Sequence, residues 1–165
     1  MNSVSKRIYI DFGYLIILAA TFGAVIVLGA VVAPVVFHTD KIVSELLIDN
    51  YNAGIIMGEI FHRFSYWSYV VAIAVLLYEA ARYKTGERDA LAFASSVTVV
   101  FSALMFSAVY APKILAMHAM GREAAQSETF QNIHIASEID FKLLAVALIV
   151  LFVRRLMLLR LPKNA

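Results

Sequence analysis

The chain has 165 residues, a mean hydropathy of +0.80 and only 16% charged residues, against roughly 25% in soluble domains. This balance excludes an ordinary soluble domain and predicts an integral membrane protein. The formal net charge is only +2, and no basic stripe of the kind that binds nucleic acid occurs. The sequence has no cysteine, which excludes disulfides and thiolate ligands.

The first predicted span, residues 12–37, carries no charged side chain and can cross roughly 30 Å of hydrocarbon as a helix. It is too long for a signal peptide and lacks a small-residue cleavage site, so we expect it to remain in the mature fold. The segment 40–50, DKIVSELLIDN, then places Ile42, Val43 and Leu46 at helical spacing. This pattern predicts a short helix lying on the outer membrane surface.

Three further apolar segments predict spans at about 54–83, 90–117 and 130–157. Aromatic residues at 66–69 indicate an interfacial belt near the start of the second span. Together the four spans predict an all-α fold, a single-domain four-helix bundle over residues 1–165, with the lipid bilayer as its surroundings. A homo-oligomer and a partner in a membrane complex are both left open.

The distribution of basic residues predicts the orientation. Nine of the 14 Lys and Arg residues lie at the N-terminus, in the 82–89 loop or near the C-terminus, and five lie on the other side. Positive residues stay in the cytoplasm, so we expect both termini there. The predicted location is the bacterial inner membrane.

An internal repeat links the ends of the first and third spans. GAVVAP at 29–34 and SAVYAP at 107–112 share four of six positions. This similarity predicts two helical hairpins related by a pseudo-twofold axis along the membrane normal. Helix packing by small residues also favours such segments.

The histidines mark a candidate site on the outer side, where His38 and His118 end the first and third spans. His62 and His134 open the second and fourth spans. Glu59 lies three residues before His62, and Glu138 lies four residues after His134. Spans two and four therefore each carry a row of polar side chains on one face, which we call a polar seam. Ionisable groups at membrane depth are costly unless they find partners, so we expect the two seams to face each other or a wet cavity.

A carboxylate and an imidazole at these spacings can converge on one ion, as in metal sites built inside helical bundles. The predicted metal ligands are Glu59, His62, His118, His134 and Glu138. The thioethers of Met117 and Met120 lie nearby, which makes copper the first candidate metal. The alternative cofactor is haem b, held axially by the imidazoles of His62 and His134.

A third interpretation needs no ligand. Glu59 with Arg63, and Glu138 with Lys142, are ion pairs at i, i+4 spacing. This leaves open a non-catalytic membrane subunit or scaffold, and also a transporter whose path the seams line. No phosphate loop or serine elbow occurs, so no catalytic residue is assigned.

The stretches FGAVIVLGAVVAPVVF, AGIIMGEIF and FQNIHIAS resemble the uncharacterised four-helix membrane family that includes transmembrane protein 205. The matching positions are Gly23, Pro34, Phe37, Ala53, Gly54, Gly58, Phe61, Pro112, His134 and Ser137. The resemblance implies a membrane fold and no settled reaction, although one eukaryotic member is linked to resistance to metal drugs. His62, Arg63 and Glu138 are not part of the family pattern.

Overall fold

The computed structural model describes residues 3–43 and 48–160, with side chains from 7 to 43 and from 48 to 159. Within these ranges the chain is helical and forms no strand, as the sequence predicts. The elements are α1 (Ser3–Ile26), a first π-helical segment (Val27–Val32), α2 (Ala33–Phe37), a 3-10 turn (Thr39–Lys41), α3 (Asn50–Lys84), α4 (Ala90–Met105), a second π-helical segment (Phe106–Tyr110), α5 (Ala111–Ala119), α6 (Arg122–Gln126) and α7 (Glu128–Arg160).

Three stretches in the described ranges are long and apolar enough to cross a membrane. They are Arg7–Phe37, Asn50–Lys84 and Ala90–Ala119, and the most apolar 18 residues of each have mean hydropathies of 2.8, 1.4 and 1.9. Many large apolar side chains on the outside are more than half exposed, including Ile16 and Leu77. Such a surface suits lipid contact and confirms the predicted membrane character.

Helix α7 differs from these three stretches. Its charged side chains at positions 138, 140, 142, 154 and 155 leave only residues 143–153 as a central stretch free of charge. It is therefore not one of the three apolar stretches, although it is almost as long as α3. The fourth predicted span stays a prediction.

The predicted interfacial helix at 40–50 lies partly outside the described residues, because 44–47 are not described. The described part begins with the 3-10 turn, and α3 begins at Asn50. Asp49 caps α3, since its side chain accepts a hydrogen bond from the backbone N–H of Asn52 at 2.9 Å.

Both π-helical segments lead directly into an Ala-Pro pair, at Pro34 and at Pro112. Proline has no N–H and its ring collides with the carbonyl group one turn back. A widened turn relieves this collision, and the N–H groups of Ala33 and Ala111 donate five residues back, to Leu28 and Phe106. The two repeat motifs thus have the same local structure, which supports the repeat; the pseudo-twofold axis stays a prediction.

The long helices alternate in direction and share one core. Leu18 in α1, Val71 in α3, Val99 in α4 and Leu148 in α7 are all fully buried. We call the two ends of the assembly the histidine end, which holds His38, His118 and His134, and the arginine end, which holds Arg82, Arg154 and Arg155.

At the arginine end, Arg155 ties α7 to α3. It is 3% exposed, and its Nε lies 2.8 Å from Oε1 of Glu79, while a second nitrogen binds the other oxygen of the same carboxylate. Arg155 also contacts Glu87 in the loop before α4. Tyr14 in α1 donates to Glu79 Oε1 at 2.8 Å, so one carboxylate joins three long helices.

A second group of contacts extends this network. Arg82 pairs with Asp11 in α1, and the hydroxyl of Tyr78 donates to the same carboxylate at 2.9 Å. Arg154 Nε lies 3.0 Å from Oδ1 of Asp89, which also caps α4. The guanidinium of Arg154 lowers the pKa of Asp89 to about 2. The sequence pattern places these charges on one side but does not predict their pairing.

We expect Arg155→Met to destabilise the protein strongly. Removing one partner of a buried ion pair leaves Glu79 buried without its cation, at a cost of about 3–5 kcal/mol, while Glu87 keeps its contact with Arg82. The matched control is Arg63→Met, which breaks a single exposed ion pair with Glu59 and should cost at most about 1 kcal/mol. Thermal unfolding of the detergent-purified variants measures both losses. Equal losses for the two variants would contradict the structural role of Arg155.

Candidate functional site

A cavity of about 1350 Å³ opens at the histidine end. Its walls are the end of α1 with the first π segment and α2, the start of α3, the second π segment with α5, the short helix α6, and the first half of α7. We call it the outer cavity. Its deep part is apolar and is lined by Val25, Ile26, Gly29, Met57, Phe61, Phe106, Phe141 and Ala145. Its rim is polar and carries His38, Asp40, Asp49, Asn50, Arg122, Gln126, His134, Glu138 and Lys142.

The floor of the outer cavity is a cluster of phenylalanine rings. Phe61, Phe106 and Phe141 line the cavity, and their ring centroids lie 5.0 to 5.5 Å apart. Phe64 packs behind them, with its ring 6.2 Å from that of Phe106. Most of these contacts are edge-to-face, a favourable geometry for aromatic rings, so the cavity has a firm apolar base.

The rim carries charges of both signs. Arg122 binds Asp49 at 2.8 Å, and its guanidinium lies 4.7 Å from the centre of the Tyr51 ring. The backbone N–H of Asn52 and the side chain of Arg122 lower the pKa of Asp49, so this carboxylate stays charged at neutral pH. Across the opening, Lys142 Nζ lies 3.5 Å from Oε2 of Glu138 on the same helix.

His118 is buried at the edge of the cavity and joins α5 to α3. Its Nδ1 donates to the backbone carbonyl of Ile114 at 3.0 Å, since a carbonyl oxygen only accepts. Its Nε2 faces Gly54, where an added Cβ would lie only 2.6 Å away. Tyr51 donates to the backbone carbonyl of His118 at 2.9 Å. The imidazole therefore packs in a notch that a glycine provides.

The two predicted seams have different positions. His134 and Glu138 both line the outer cavity, with His134 Nε2 3.2 Å from Glu138 Oε1. Glu59 and His62 are not lining residues. Glu59 pairs with Arg63 at 2.7 Å, and His62 lies 3.3 Å from the Tyr66 hydroxyl on its own helix.

The structure thus brings His118, His134 and Glu138 to one cavity and leaves Glu59 and His62 outside it. Within residues 3–43 and 48–160, no three His, Asp or Glu side chains form a cluster that could hold a metal ion. The described hydrogen bonds and ring contacts do not join His62 to His134. Metal binding and haem binding both stay predictions.

The spacing of two cavity glycines is a sequence signal for close helix contact. Gly54 and Gly58 are four residues apart on α3, a spacing that favours close helix contact, and a Cβ at Gly58 would lie 3.0 Å from Leu115. Tyr51 and Arg122 had no such signal, because their contacts depend on the approach of α6 to the start of α3.

A family model described as a domain of unknown function, DUF4149, matches residues 16–123, well over half of the chain. The chain belongs to the DUF4149 family. The DUF4149 match includes both π-helical segments, Gly54 and His118. The predicted link to the family of transmembrane protein 205 stays a prediction. No curated protein and no solved structure matches the chain.

We expect Gly54→Ala to destabilise the protein by about 1–3 kcal/mol, because the new methyl group collides with a histidine ring that is held in place. The control is Gly23→Ala in α1, where nothing lies within 4 Å of the added Cβ, and we expect no loss there. The double variant Gly54→Ala, His118→Ala should recover much of the loss. Thermal unfolding measures all three, and a collision is excluded if removing the ring brings no recovery.

Proposed function

We propose that this DUF4149 protein binds an amphipathic, lipid-like molecule in the outer cavity. The observation that carries the proposal is the division of the lining into an apolar depth and a rim with both charges. A molecule with a hydrocarbon part and a polar head matches both zones at once.

The dimensions support a chain-bearing ligand. The cavity volume of about 1350 Å³ exceeds the roughly 300–1,000 Å³ typical of sites for small molecules. The phenylalanine floor gives an acyl chain an apolar surface comparable to the surrounding lipid, and the rim supplies the specific contacts to the polar head. Asp49 with Arg122, and Glu138 with Lys142, offer both charges to a zwitterionic head.

The proposal includes the topology. We propose that α7 also crosses the membrane, which makes a four-helix bundle of two related hairpins, with both termini in the cytoplasm. The basic residues concentrated at the arginine end support this orientation. In this topology the outer cavity lies in the outer leaflet of the bacterial inner membrane, so a lipid-like molecule can enter it from the surrounding bilayer.

Filling the cavity should abolish binding. Ala30 lines the outer cavity and is exposed, so Ala30→Trp places an indole in the space without disturbing the core. We expect the amount of lipid that co-purifies with this variant to be lower than in the native protein by a factor of about ten or more, because the indole occupies the apolar volume. Native mass spectrometry after detergent exchange, followed by rebinding of a chain-labelled phospholipid, measures retention.

The matched control is Val31→Trp. Val31 is the next residue and is 53% exposed, but it does not line the outer cavity. This variant should bind like the native protein. Equal loss in both variants points to a general disturbance of the π segment, and equal retention in both rules out the outer cavity as the binding site.

A second candidate function is the handling of a transition metal. The contact of 3.2 Å between His134 and Glu138 favours it, because it places an imidazole and a carboxylate together on the cavity rim. Copper is the first candidate for such a site, with the remaining ligands supplied by a carried molecule or by another chain.

Metal analysis separates the candidates. If the rim holds a metal, His134→Ala should lose the copper or zinc that the purified protein acquires, while His62→Ala, outside the cavity, should keep it. Loss in both variants together with a Soret band would instead support haem held by the two imidazoles. If the native protein acquires neither metal nor haem, both the metal-binding and the haem-binding hypotheses are wrong. The lipid-binding proposal is not affected by that result.

A further inference from the structure

Asp140 on α7 is a buried acid that takes no part in the contacts above. The residue is 7% exposed, and its Oδ2 has no hydrogen-bond partner among the described residues. It precedes the charge-free stretch 143–153 of the same helix. A buried polar atom without a partner loses its hydration uncompensated, so such atoms are rare and need a physical reason.

Other acids with little exposed side-chain surface are paired with arginines. Asp11, Glu79 and Asp89 each bind a guanidinium group at the arginine end. A positive charge beside a buried carboxylate compensates for the hydration that burial removes. Asp140 differs from these acids, because no lysine or arginine among the described residues pairs with it.

The elements next to α7 give no cation to Asp140. Helix α4 has no charged side chain, and the second π segment carries a phenol, at Tyr110, and no charged side chain. Helix α3 meets α7 through the Phe141 ring and through Arg155. The charged or titratable groups of α1, α5 and α6 lie in other contacts or in exposed positions: Arg7, Tyr9, Asp11, Tyr14, Lys113, His118, Arg122 and Glu123.

The cations of α7 itself are also engaged elsewhere. Lys142 is exposed and lies near Glu138, which also contacts His134. Arg154 and Arg155 bind acids at the arginine end. An ionised Asp140 would therefore be a buried negative charge without a counter-charge in the described part of the chain.

Ser102 on α4 is the side chain that hydrogen-bonds to the Asp140 carboxyl group. Ser102 is 0% exposed. The other hydroxyl side chains of α4, Ser95, Ser96 and Thr98, donate to backbone carbonyls of the preceding turn, as helical serines and threonines commonly do. Ser102 makes no such bond in the described structure, so its hydroxyl is available to Asp140.

One hydroxyl group does not compensate for a buried negative charge. An ionised carboxylate only accepts hydrogen bonds and offers about four lone-pair sites. In apolar surroundings without a cation, such a group binds a proton and becomes neutral. The proton turns one carboxyl oxygen into a donor, so the acid and the Ser102 hydroxyl can each donate and accept.

We propose that Asp140, paired with Ser102, is a proton-binding site between α7 and α4 that is occupied at neutral pH. With the proton bound, the two helices pack without a charge between them. Release of the proton leaves a negative charge that needs water, so α4 and α7 must separate locally for the proton to leave. The site depends on these two residues and not on the occupant of the outer cavity.

Infrared spectroscopy detects the proton directly, because a protonated carboxyl group has a C=O stretching band that a carboxylate lacks. We would compare, at neutral pH, protein made by cell-free synthesis with unlabelled aspartate and with aspartate carrying ¹³C in its side-chain carboxyl group. The label shifts aspartate bands only, so lipid esters and glutamates cancel in the difference spectrum. The native protein should show one shifted acid band. The other aspartates bind arginines or are exposed and should be ionised: Asp11, Asp40, Asp49 and Asp89.

Variants assign the band to its residue. Asp140→Asn should remove it completely, whereas the matched control Asp40→Asn, which removes an exposed aspartate, should leave it. Ser102→Ala should shift the frequency of the band, because the carboxyl group loses its hydrogen-bond partner. Ser95→Ala should not shift it, since the Ser95 hydroxyl donates to the Leu91 carbonyl at 2.7 Å. If Asp140→Asn does not fold, the isotope label and the two serine variants decide the question.

Three results would overturn the proposal. The absence of an aspartate acid band from the native protein indicates that Asp140 is ionised and bound to water or a cation. A band that persists in Asp140→Asn indicates that another aspartate carries the proton. A band that is unchanged in Ser102→Ala excludes the pairing with Ser102. None of these results bears on lipid retention in Ala30→Trp, so this proposal and the proposed function can fail separately.

Discussion

The buried pairing of Arg155 with Glu79 is the contact on which the arrangement of the helices depends. It links α7 to α3, and Tyr14 adds α1 through the same carboxylate. Buried ion pairs are costly to desolvate, so they hold only where geometry and extra hydrogen bonds compensate. Here two arginine nitrogens meet two carboxylate oxygens, and Glu87 contacts a third. Because the arginine end is closed in this manner, the helices can separate at the other end, where the outer cavity lies.

The sequence predicts the helices well because length and hydropathy are local properties. The first three predicted spans match long helices, and the repeated Ala-Pro motifs coincide with the two π segments. The network at the arginine end could not be predicted in the same manner, since Arg155 and Glu79 are 76 residues apart. Counting basic residues predicts a side of the membrane for each of them but treats each as a solvated charge, whereas Arg155 is buried.

The candidate site shows a second limit. Helical periodicity groups Glu59 with His62, and His134 with Glu138, and the structure shows a contact within the second pair. It cannot give the rotation of one helix relative to another, and the structure turns only the second pair toward the outer cavity. Asp140 is buried and lies outside that pattern for a related reason. It lies two residues from Glu138 and thus about 200° around the helix, so the exposed seam and the buried carboxylate belong to opposite faces of α7.

The π-helical segments give the two interrupted helices an unusual freedom. A widened turn holds one more residue than an α-turn, so it can migrate along a helix while most backbone hydrogen bonds are retained. Each step of such a migration turns the residues it passes by about 100°. Phe106 and Ser107 both lie in the second segment, the former on the cavity floor and the latter buried among the helices. A register change there would therefore rotate the floor of the outer cavity and the packed interior of the helices together.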